Sequence, residues 1–453
     1  MGFVLTEKEL SKNNAFKIEI NLSENIPFTL SIPRDENVLQ INKGVMQGEV
    51  DIESLKLELS QKFSININSI DFRINKTNKV FVEFSSELKI DQETIINVLQ
   101  QTISQELPHT LRNKDTKKPL IYITNDLFGI PLIGSIYFGV IDRGTNLLQI
   151  RPITGCPLNC PFCSVDEGPI SKTKLRDYIV DTDYLVNTYN SIVAEKKLKE
   201  AEAHLDGQGE PMSYPYLPEL VQKLQENENT KIVSIQTNGW YLTEQLIDEL
   251  AEVNLTRINL SINALSSSLS KKLSGKGDYR IDKMLELAEY IANSKISLLL
   301  APLWIPGIND QDIEEIVQFS LKVNSNETKY PTLGIQNYLT HDVGRNLKGI
   351  PQKKFAEFNQ QLRKIEKKFG AKNLVLKPYM FNTYKTEMIP NPMKINEIVN
   401  AEVVLLGRQM GEVIVKAKNR LIHVSDVTHF SLGKKIKVRI IRNRHNIFFA
   451  EAV

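Results

Sequence analysis

Residues 151–166 read Arg-Pro-Ile-Thr-Gly-Cys-Pro-Leu-Asn-Cys-Pro-Phe-Cys-Ser-Val-Asp and hold all three cysteines of the chain, Cys156, Cys160 and Cys163. The apolar run at residues 147–153 predicts a short β-strand, so the thiols lie on the loop that leaves this strand. Three thiolates on one tight loop are able to hold three irons of a [4Fe–4S] cube and leave the fourth iron open. An open iron is what a cluster needs if it is to bind and reduce a ligand.

Other uses of three clustered cysteines compete with this interpretation. A disulfide framework is expected with an even number of cysteines and in an oxidising compartment. A structural zinc site needs a fourth ligand, and the histidine nearest in sequence is His204. A catalytic thiol would not need two neighbouring thiols. The odd count on a single loop favours the iron–sulfur cluster, and the alternatives stay open at this stage.

The composition is that of a soluble globular protein. The chain has 453 residues, 41% hydrophobic and 24% charged, which predicts two to four domains. Its apolar runs are shorter than the ~18 residues of a membrane span, and its first residues lack the pattern of a signal peptide. Thiols without partners and no export signal predict a cytoplasmic protein.

The charge is distributed unevenly. From Lys394 onward the chain has eleven Lys and Arg against five Asp and Glu, a net charge of +6, so the remainder carries −4 of the total of +2. A basic tail on a mildly acidic body is expected of a nucleic-acid-binding appendage, although a lysine-rich surface without a partner would give the same count.

The pattern of periodicity divides the chain into three predicted domains. Residues 1–140 read as an α+β domain of unknown role, residues 141–390 as an α/β core and residues 393–453 as a small β-barrel. The elements predicted in the first domain are strands at residues 16–22, 27–32, 70–74 and 80–84 and helices at residues 51–63 and 91–107, the last ended by Pro108.

Strand and helix alternate through the core, which predicts a parallel sheet with covering helices that curls into a partial (βα)6 TIM-like barrel. The predicted strands are residues 147–153, 202–206, 231–236, 257–263, 297–304 and 332–339, and the predicted helices are residues 183–197, 217–226, 244–253, 281–294, 310–323 and 353–369.

Polar residues and glycines follow the predicted strands, and the carboxyl ends of parallel strands meet on one rim, where such barrels place their active sites. Each of these groups alone would be an ordinary turn at a strand end. The groups are Gly209-Glu210-Pro211, Gln236-Thr237-Asn238, Ser261-Ile262-Asn263, Trp304-Ile305-Pro306 and Gln336-Asn337-Tyr338. Five such groups beside the cysteines predict a single functional rim. Ser164–Pro169, after the cysteines, reads either as part of a substrate gate or as an exposed acidic loop.

The cysteine spacing, Cys156-x3-Cys160-x2-Cys163 with Phe162 before the last thiol, resembles the signature of the radical S-adenosylmethionine (SAM) superfamily. Gly209-Glu210-Pro211 resembles the element of that family that contacts the methionine amino group. Ser261 and Asn263 resemble its ribose and carboxylate element, and residues 306–310, which begin with Pro306, resemble the stretch beside adenine. The resemblance covers about residues 145–370.

The resemblance implies a [4Fe–4S] cluster on Cys156, Cys160 and Cys163 and SAM as the second cofactor. One electron from the cluster then cleaves the sulfonium of SAM to methionine and a 5′-deoxyadenosyl radical, which abstracts hydrogen from a substrate carbon. In this interpretation Glu210 pairs with the ammonium group of SAM, and Asn238 and Asn263 hold ribose hydroxyls or the carboxylate. The cofactor-binding residues so predicted are Gly209, Glu210, Pro211, Asn238, Ser261, Asn263 and Pro306.

Five short strand-like runs in residues 401–452 predict an OB-like barrel, and the tail is similar to a TRAM domain, which is attached to tRNA-modifying enzymes. The whole arrangement resembles a group of archaeal radical SAM enzymes with a TRAM tail. The basic residues expected to neutralise RNA phosphates are Lys416, Lys418, Arg420, Lys434, Lys435, Lys437, Arg439, Arg442 and Arg444.

The missing cysteines narrow the chemistry. Methylthiotransferases with a TRAM domain carry a second cluster on three further cysteines, which this sequence lacks, so sulfur insertion is disfavoured. The leading hypothesis is a cytoplasmic radical SAM enzyme that modifies RNA, most directly tRNA, and takes electrons from a donor such as ferredoxin or flavodoxin, with no membrane or DNA partner. Two hypotheses remain beside it: a radical SAM enzyme acting on a protein or small metabolite, and an RNA-binding protein with a structural iron–sulfur cluster.

Overall fold

The computed structural model describes residues 18–26, 28–34, 36–85, 90–125, 129–323, 329–427 and 429–453. The chain forms two compact units, Met1–Arg112 and Asn113–Val453. Within the described residues, none of the helices has the length and apolarity needed to cross a membrane. The predicted domain boundaries at residues 140 and 393 stay a prediction.

The N-terminal unit has the predicted α+β composition. Its elements are the strands β1 (Ile18–Asn21), β2 (Thr29–Ser31), β3 (Val38–Lys43), β4 (Met46–Asp51), β5 (Ile70–Ile74) and β6 (Val80–Phe84) and the helices α1 (Leu22–Asn25), α2 (Ile52–Phe63) and α3 (Gln92–Thr110). β5 and β6 form the predicted hairpin, and β1 pairs with β6 on its other side. Residues 16, 17 and 27 of the predicted strands lie outside the described residues.

The end predicted for α3 is wrong. Asp91 caps the helix as its sequence suggests, with its side chain accepting from Thr94 N at 2.8 Å. The helix nevertheless continues through Pro108 to Thr110. Thr110 Oγ1 exchanges hydrogen bonds with the backbone of Glu49, at 3.0 Å and 2.6 Å, and these contacts hold the last turn although Pro108 offers no N–H donor.

The C-terminal unit is built on an α/β sheet. The short strand β7 (Arg112–Asn113) spans the boundary between the two units, and β8 (Leu120–Ile123) follows it. The sheet contains β9 (Gly139–Asp142), β10 (Leu147–Arg151), β12 (Ala201–Leu205), β13 (Thr230–Thr237), β14 (Arg257–Leu260) and β15 (Ser297–Leu300). Its strand order is β15-β14-β13-β12-β10-β9, with β10 to β15 parallel and β9 antiparallel at the edge. A separate strand, β11 (Asp177–Val180), pairs with β8.

The helices of this unit follow the predicted alternation closely. They are α4 (Thr182–Glu195), α5 (Leu217–Gln225), α6 (Glu244–Glu252), α7 (Ser267–Ser274), α8 (Ile281–Ala292), α9 (Asp310–Val323) and α10 (Phe355–Phe369). Helix α7 was not predicted; its eight residues include four serines and two lysines, and its apolar residues are Leu269 and Leu273.

The last two predicted core strands differ from expectation. The fifth breaks at Pro302 into β15 and β16 (Leu303–Trp304), because proline has no N–H to donate to a neighbouring strand. The sixth shrinks to β17 (Gln336–Asn337), which pairs in parallel with β16. An open sheet continued by this short pair is what the structure shows, and closure into a partial (βα)6 TIM-like barrel stays a prediction.

The tail forms a closed five-stranded barrel, as predicted. Its strands are β18 (Ile398–Leu406), β19 (Val413–Ala417), β20 (Arg420–Ser425), β21 (Lys435–Arg442) and β22 (Phe448–Ala452), in the order β18-β19-β20-β22-β21. Buried valine, isoleucine and phenylalanine side chains fill its interior. Residues 398–452 are called the tail barrel below.

One face of the core sheet carries a buried ion pair. Arg257 Nη2 on β14 lies 2.6 Å from Glu202 Oε1 on β12, and both side chains are nearly inaccessible to solvent. Ser234 Oγ on the strand between them donates to the same carboxylate at 2.6 Å. Buried charges are tolerated only when they are paired, so this contact fixes the arrangement of three adjacent strands.

We predict that Arg257→Met lowers the free energy of unfolding by about 3–5 kcal/mol, because Glu202 would keep a buried charge without its partner. Urea titration followed by circular dichroism measures this. In the control Lys322→Met, which breaks the exposed pair with Glu289, the change should stay below about 1 kcal/mol. Equal effects in the two variants would contradict the prediction.

Candidate active site

The cysteine loop, residues 154–168, leaves the carboxyl end of β10 and presents three free thiols. Two backbone amides donate to the sulfur atoms, Leu158 N to Cys156 Sγ at 3.4 Å and Glu167 N to Cys163 Sγ at 3.3 Å. Asn238 Nδ2, which follows β13, also donates to Cys156 Sγ at 3.4 Å. Donors aimed at sulfur favour thiolates, the form that binds iron.

Two glycines allow this loop to contact the loop after β12. A Cβ atom on Gly209 would lie 2.1 Å from the carbonyl oxygen of Gly155, and both residues have positive φ angles, +152° and +92°. Glu210 N donates to that same carbonyl oxygen at 2.9 Å. A side chain at Gly209 would force the two loops apart, and a Cβ at Gly155 would lie 2.5 Å from Asn113 Nδ2 and 2.7 Å from Asp177 Oδ2, so the rim needs glycine at both positions.

Helix α7 supports the cysteine loop from a third side. Asn159 N donates to Ser274 O, in the last turn of the helix, at 2.9 Å. Gly275 ends α7 with a φ of +65°, and a Cβ there would lie 2.3 Å from Asn159 O. In the sequence, a glycine that follows a segment capped by serine is the feature that could have indicated this helix and its contact with the loop.

The arrangement of the thiols disfavours a single-ion site. Among the described residues, no three or more His, Cys, Asp or Glu side chains are placed to hold one metal ion. Burial raises the pKa of Cys160 to about 12 and the pKa of Cys156 well above its usual value. Metal binding must therefore displace protons from these thiols. Separate thiols with amide donors fit a cluster whose irons each take one cysteine.

A cavity of about 370 Å³ opens beside the cysteines. Its volume lies in the range of small-molecule sites. Cys160, Cys163 and three of the predicted cofactor-binding residues, Asn238, Ser261 and Asn263, line it. The other lining residues include apolar side chains from α7, α8 and β16 and polar side chains from β17. The structure thus brings together the thiols and the polar groups that follow β13 and β14.

Asn337 is a residue of this cavity that was not among the predicted cofactor-binding residues. Its Nδ2 donates to Lys353 O at 2.8 Å, while its buried Oδ1 has no hydrogen-bond partner among the described residues. A buried acceptor without a partner costs about 1–3 kcal/mol. Because Asn337 lines the cavity, a donor group of a bound ligand would satisfy this atom.

Glu210 does not line this cavity. Its carboxylate is 2% exposed and accepts from Met212 N at 2.9 Å, Thr237 Oγ1 at 2.7 Å and Asn238 N at 2.8 Å. Burial raises the pKa of Glu210 to about 7, and the hydrogen bonds oppose this shift. The side chain ties the loop after β12 to the loop after β13. Its expected pairing with a ligand ammonium group stays a prediction.

Three further predicted cofactor-binding residues, Gly209, Pro211 and Pro306, lie outside the cavity lining. In the stretch that begins with Pro306, Asn309 organises the backbone. It is fully buried, accepts from Ile305 N at 2.7 Å and donates to Asn263 O at 2.8 Å. Its role, like that of Glu210, is to hold strand ends in register.

The predicted RNA-binding residues divide into three groups. Arg420 is buried and bonds to backbone carbonyls of the same unit, so it is not available to a phosphate. Ion pairs with glutamates engage Lys416, Lys418 and Arg439. The other five are exposed: Lys434, Lys435, Lys437, Arg442 and Arg444.

Arg143, in the turn between β9 and β10, joins this basic surface although no sequence pattern indicated it. Burial and the positive charges of neighbours including Arg444 and Arg442 lower its pKa. Its Nε donates to Gln149 Oε1 at 2.5 Å. Mutual repulsion of exposed arginines is relieved when an anion binds between them.

Residues 150–320 match the family model described as the Radical SAM superfamily. The uncharacterized protein MJ0103 of Methanocaldococcus jannaschii is 42% identical over 417 residues, which cover 85% of this chain and 96% of that protein. A probable GTP 3′,8-cyclase of Archaeoglobus fulgidus is 30% identical over 187 residues, 40% of this chain and 57% of the cyclase. The chain thus spans about half the length of the cyclase.

Solved structures are more distant. The crystal structure of Streptococcus suis SuiB bound to S-adenosylmethionine has 16% identity and a TM-score of 0.35, covering 76% of this chain and 71% of SuiB. A point mutant of spore photoproduct lyase has 12% identity and a TM-score of 0.41, covering 56% of this chain and 81% of the lyase.

We predict that Cys156→Ala, Cys160→Ala and Cys163→Ala each lose most of the iron and sulfide that the native chain takes up in anaerobic reconstitution, because each removes one of three thiolate ligands. Metal analysis measures both elements. Ser164→Ala, which changes a cavity residue beside Cys163, should retain them. A native chain that binds one zinc ion tightly through all three thiols and takes up no iron would overturn the cluster assignment.

Proposed function

Because this chain belongs to the radical SAM superfamily, whose members are enzymes that use a [4Fe–4S] cluster and SAM, we propose that it modifies a nucleoside of RNA, most directly of tRNA. The observation that carries the proposal is the joining, within one compact unit, of a thiol-lined cavity and a basic tail barrel. The bound cluster supplies the electron that cleaves SAM to methionine and a 5′-deoxyadenosyl radical.

The residues of this chain bind the cluster, orient SAM and shield the cavity from water. Cys156, Cys160 and Cys163 hold the cluster, and the amide of Asn238 donates to the Cys156 sulfur while lining the ligand cavity. Ser261 and Asn263 offer polar groups to SAM at the end of the neighbouring strand. Apolar side chains of α7, α8 and β16 exclude water from the cavity, which protects a reactive radical from side reactions.

The positive charge of the tail favours RNA as the substrate. The tail carries a net charge of +6. Five of its cations are exposed, and two of these, Arg442 and Arg444, lie near Arg143 of the core. Basic residues contributed by both parts of the C-terminal unit would let a phosphate backbone lie across the tail barrel and the core. The assignment of the tail barrel as a TRAM domain belongs to this proposal.

A small metabolite is the second candidate substrate. The specific observation for it is the similarity of about 40% of the chain to proteins named GTP 3′,8-cyclase. The cavity would also fit a substrate of that size. The third hypothesis, a binding protein with a structural cluster, is set aside because the superfamily consists of enzymes.

The proposal also includes the cellular compartment and the electron donor of the enzyme. Free thiols at the cluster site need a reducing compartment, which favours the cytoplasm. An electron donor such as ferredoxin or flavodoxin would reduce the cluster. A methylthiotransferase reaction stays disfavoured, since the sequence has no cysteines for a second cluster.

We predict that the reconstituted and reduced enzyme forms 5′-deoxyadenosine from SAM, and that Asn337→Leu weakens SAM binding by about tenfold, because a donor on the ligand loses its acceptor. Calorimetric titration gives the dissociation constant, and chromatography gives the product. Asn187→Leu, at an exposed position of α4 outside the cavity lining, is the control. A native enzyme that holds a complete cluster and forms no 5′-deoxyadenosine would refute the activity.

We predict that replacing Arg143, Arg442 and Arg444 together by glutamine lowers tRNA affinity and reduces the slope of log K against log salt by about 2, because fewer counterions are released. Fluorescence anisotropy at several salt concentrations measures both. The control replaces Lys364, Lys367 and Lys368 of α10, which removes the same charge from another surface. An unchanged slope in the arginine variant would contradict phosphate contact at this surface.

Nucleoside mass spectrometry of tRNA from a strain without the gene separates the two substrates. Loss of one modified nucleoside, restored by the native gene and not by Cys160→Ala, is expected for an RNA-modifying enzyme. Unchanged nucleosides, together with tight binding of GTP by the purified enzyme, would favour the metabolite.

A further inference from the structure

Arg408 is a charged residue of the tail barrel with no place in the chemistry described so far. It follows β18, and its side chain is completely buried. Its two Nη atoms contact the two carboxylate oxygens of Glu167, one of them at 2.9 Å, and Nη2 also lies 2.6 Å from Asp177 Oδ1. One guanidinium therefore bridges two carboxylates that belong to different segments of the core.

The carboxylate of Asp177 is also held in place by other contacts. Asp177 at the start of β11 accepts from Asn113 Nδ2 at 3.0 Å, Thr116 Oγ1 at 2.6 Å and Thr154 Oγ1 at 3.2 Å. Thr154 lies two residues before Cys156. The guanidinium thus completes a buried network that begins beside the first cluster ligand, and such a network is stable only when all of its members are satisfied.

Glu167 connects Arg408 directly to the last cluster ligand. The Glu167 backbone N–H is the donor to Cys163 Sγ at 3.3 Å, while the Glu167 side chain is the bidentate partner of Arg408. The side chain is 2% exposed, so Ser164–Pro169 is not an exposed acidic loop. The orientation of this N–H depends on where the carboxylate of the same residue is anchored.

The backbone around Glu167 has little freedom to find another position. Gly168 has a φ of +116°, and a Cβ there would lie 2.1 Å from Leu158 O, between Cys156 and Cys160. Lys118 Nζ donates to Gly168 O at 3.2 Å. The end of the cysteine loop is therefore folded back against its beginning, and Arg408 is the contact that the tail barrel makes to this fold.

The side chain of Arg408 and the adjoining backbone make further hydrogen bonds to the core. Arg408 Nε donates to Arg176 O at 2.9 Å, Leu175 N donates to Arg408 O at 2.8 Å, and Arg176 Nη1 donates to Gly407 O at 2.8 Å. Because its Nε and the backbone of Arg408 are both hydrogen-bonded to the core, the guanidinium is pre-organised. Its two Nη atoms therefore have a fixed direction towards Glu167.

We propose that Arg408 is a positioning residue of the iron–sulfur site, through which the tail barrel holds the Glu167 N–H against the sulfur of Cys163. The tail barrel then has a second role beside RNA binding: it completes the environment of the cluster. This inference rests on the cluster-binding part of the proposed function and is independent of the identity of the substrate.

The test compares full-length variants after anaerobic reconstitution. Arg408→Lys keeps the charge and loses the bidentate fork, Arg408→Met loses both, and Arg257→Met is the matched control, since it removes an equally buried, carboxylate-paired arginine that does not touch the cysteine loop. The readouts are iron content, the electron paramagnetic resonance spectrum of the reduced cluster, its reduction potential and the rate of iron loss to a chelator.

We expect both Arg408 variants to show altered resonance spectra, a more negative reduction potential and iron loss faster by about tenfold, because both remove the bidentate anchor of Glu167, whose N–H···S bond to Cys163 stabilises the reduced cluster. Arg257→Met should lose unfolding free energy and retain the native spectrum and potential. Arg408→Lys and Glu167→Gln, which keep a polar partner, carry the test where Arg408→Met fails to fold.

Native spectrum, potential and iron-loss rate in folded Arg408→Lys and Glu167→Gln would overturn the inference and leave Arg408 a structural contact. A native chain that takes up no cluster would instead refute the cluster-binding part of the proposed function. The two failures are therefore distinguishable in one experiment.

Discussion

The backbones of Gly155 and Gly209 touch at the rim of the sheet, where a single Cβ atom would lie 2.1 Å from a carbonyl oxygen. This contact brings the end of β10 and the end of β12 together, and the first thiol is the residue directly after Gly155. Glu210 then extends the contact to the loop after β13, where the amide of Asn238 reaches the Cys156 sulfur. The geometry of the site depends on the absence of two side chains.

The polar side chains around the site have hydrogen-bond partners within the protein itself. Glu210, Asn309 and Asp177 are buried, and each forms a hydrogen bond with another segment of the chain. A loop that must hold a charged cluster cannot rely on apolar packing alone, because its backbone groups would remain without partners. Buried polar side chains provide such partners.

The sequence predicted regular elements well and their interruptions poorly. Hydrophobic periodicity identified the strands of the parallel sheet and all five strands of the tail barrel. It did not identify α7, in which two of the eight residues are apolar, or the break at Pro302, where one missing N–H divides a strand-like run. It also treated Arg420 as a phosphate ligand, because periodicity alone does not show that a cation is buried against carbonyl oxygens.

The sequence by itself determined the chemistry, since three thiols in one loop, with no other cysteine in the chain, specify where a cluster binds. It also determined the separation of a basic tail from a mildly acidic body. Only the tertiary structure decided which polar residues face the cavity and that Arg408 lies beside Glu167, 241 residues away in sequence. Spacing encodes contacts within a loop, whereas contacts between distant segments depend on how the sheet and the barrel pack.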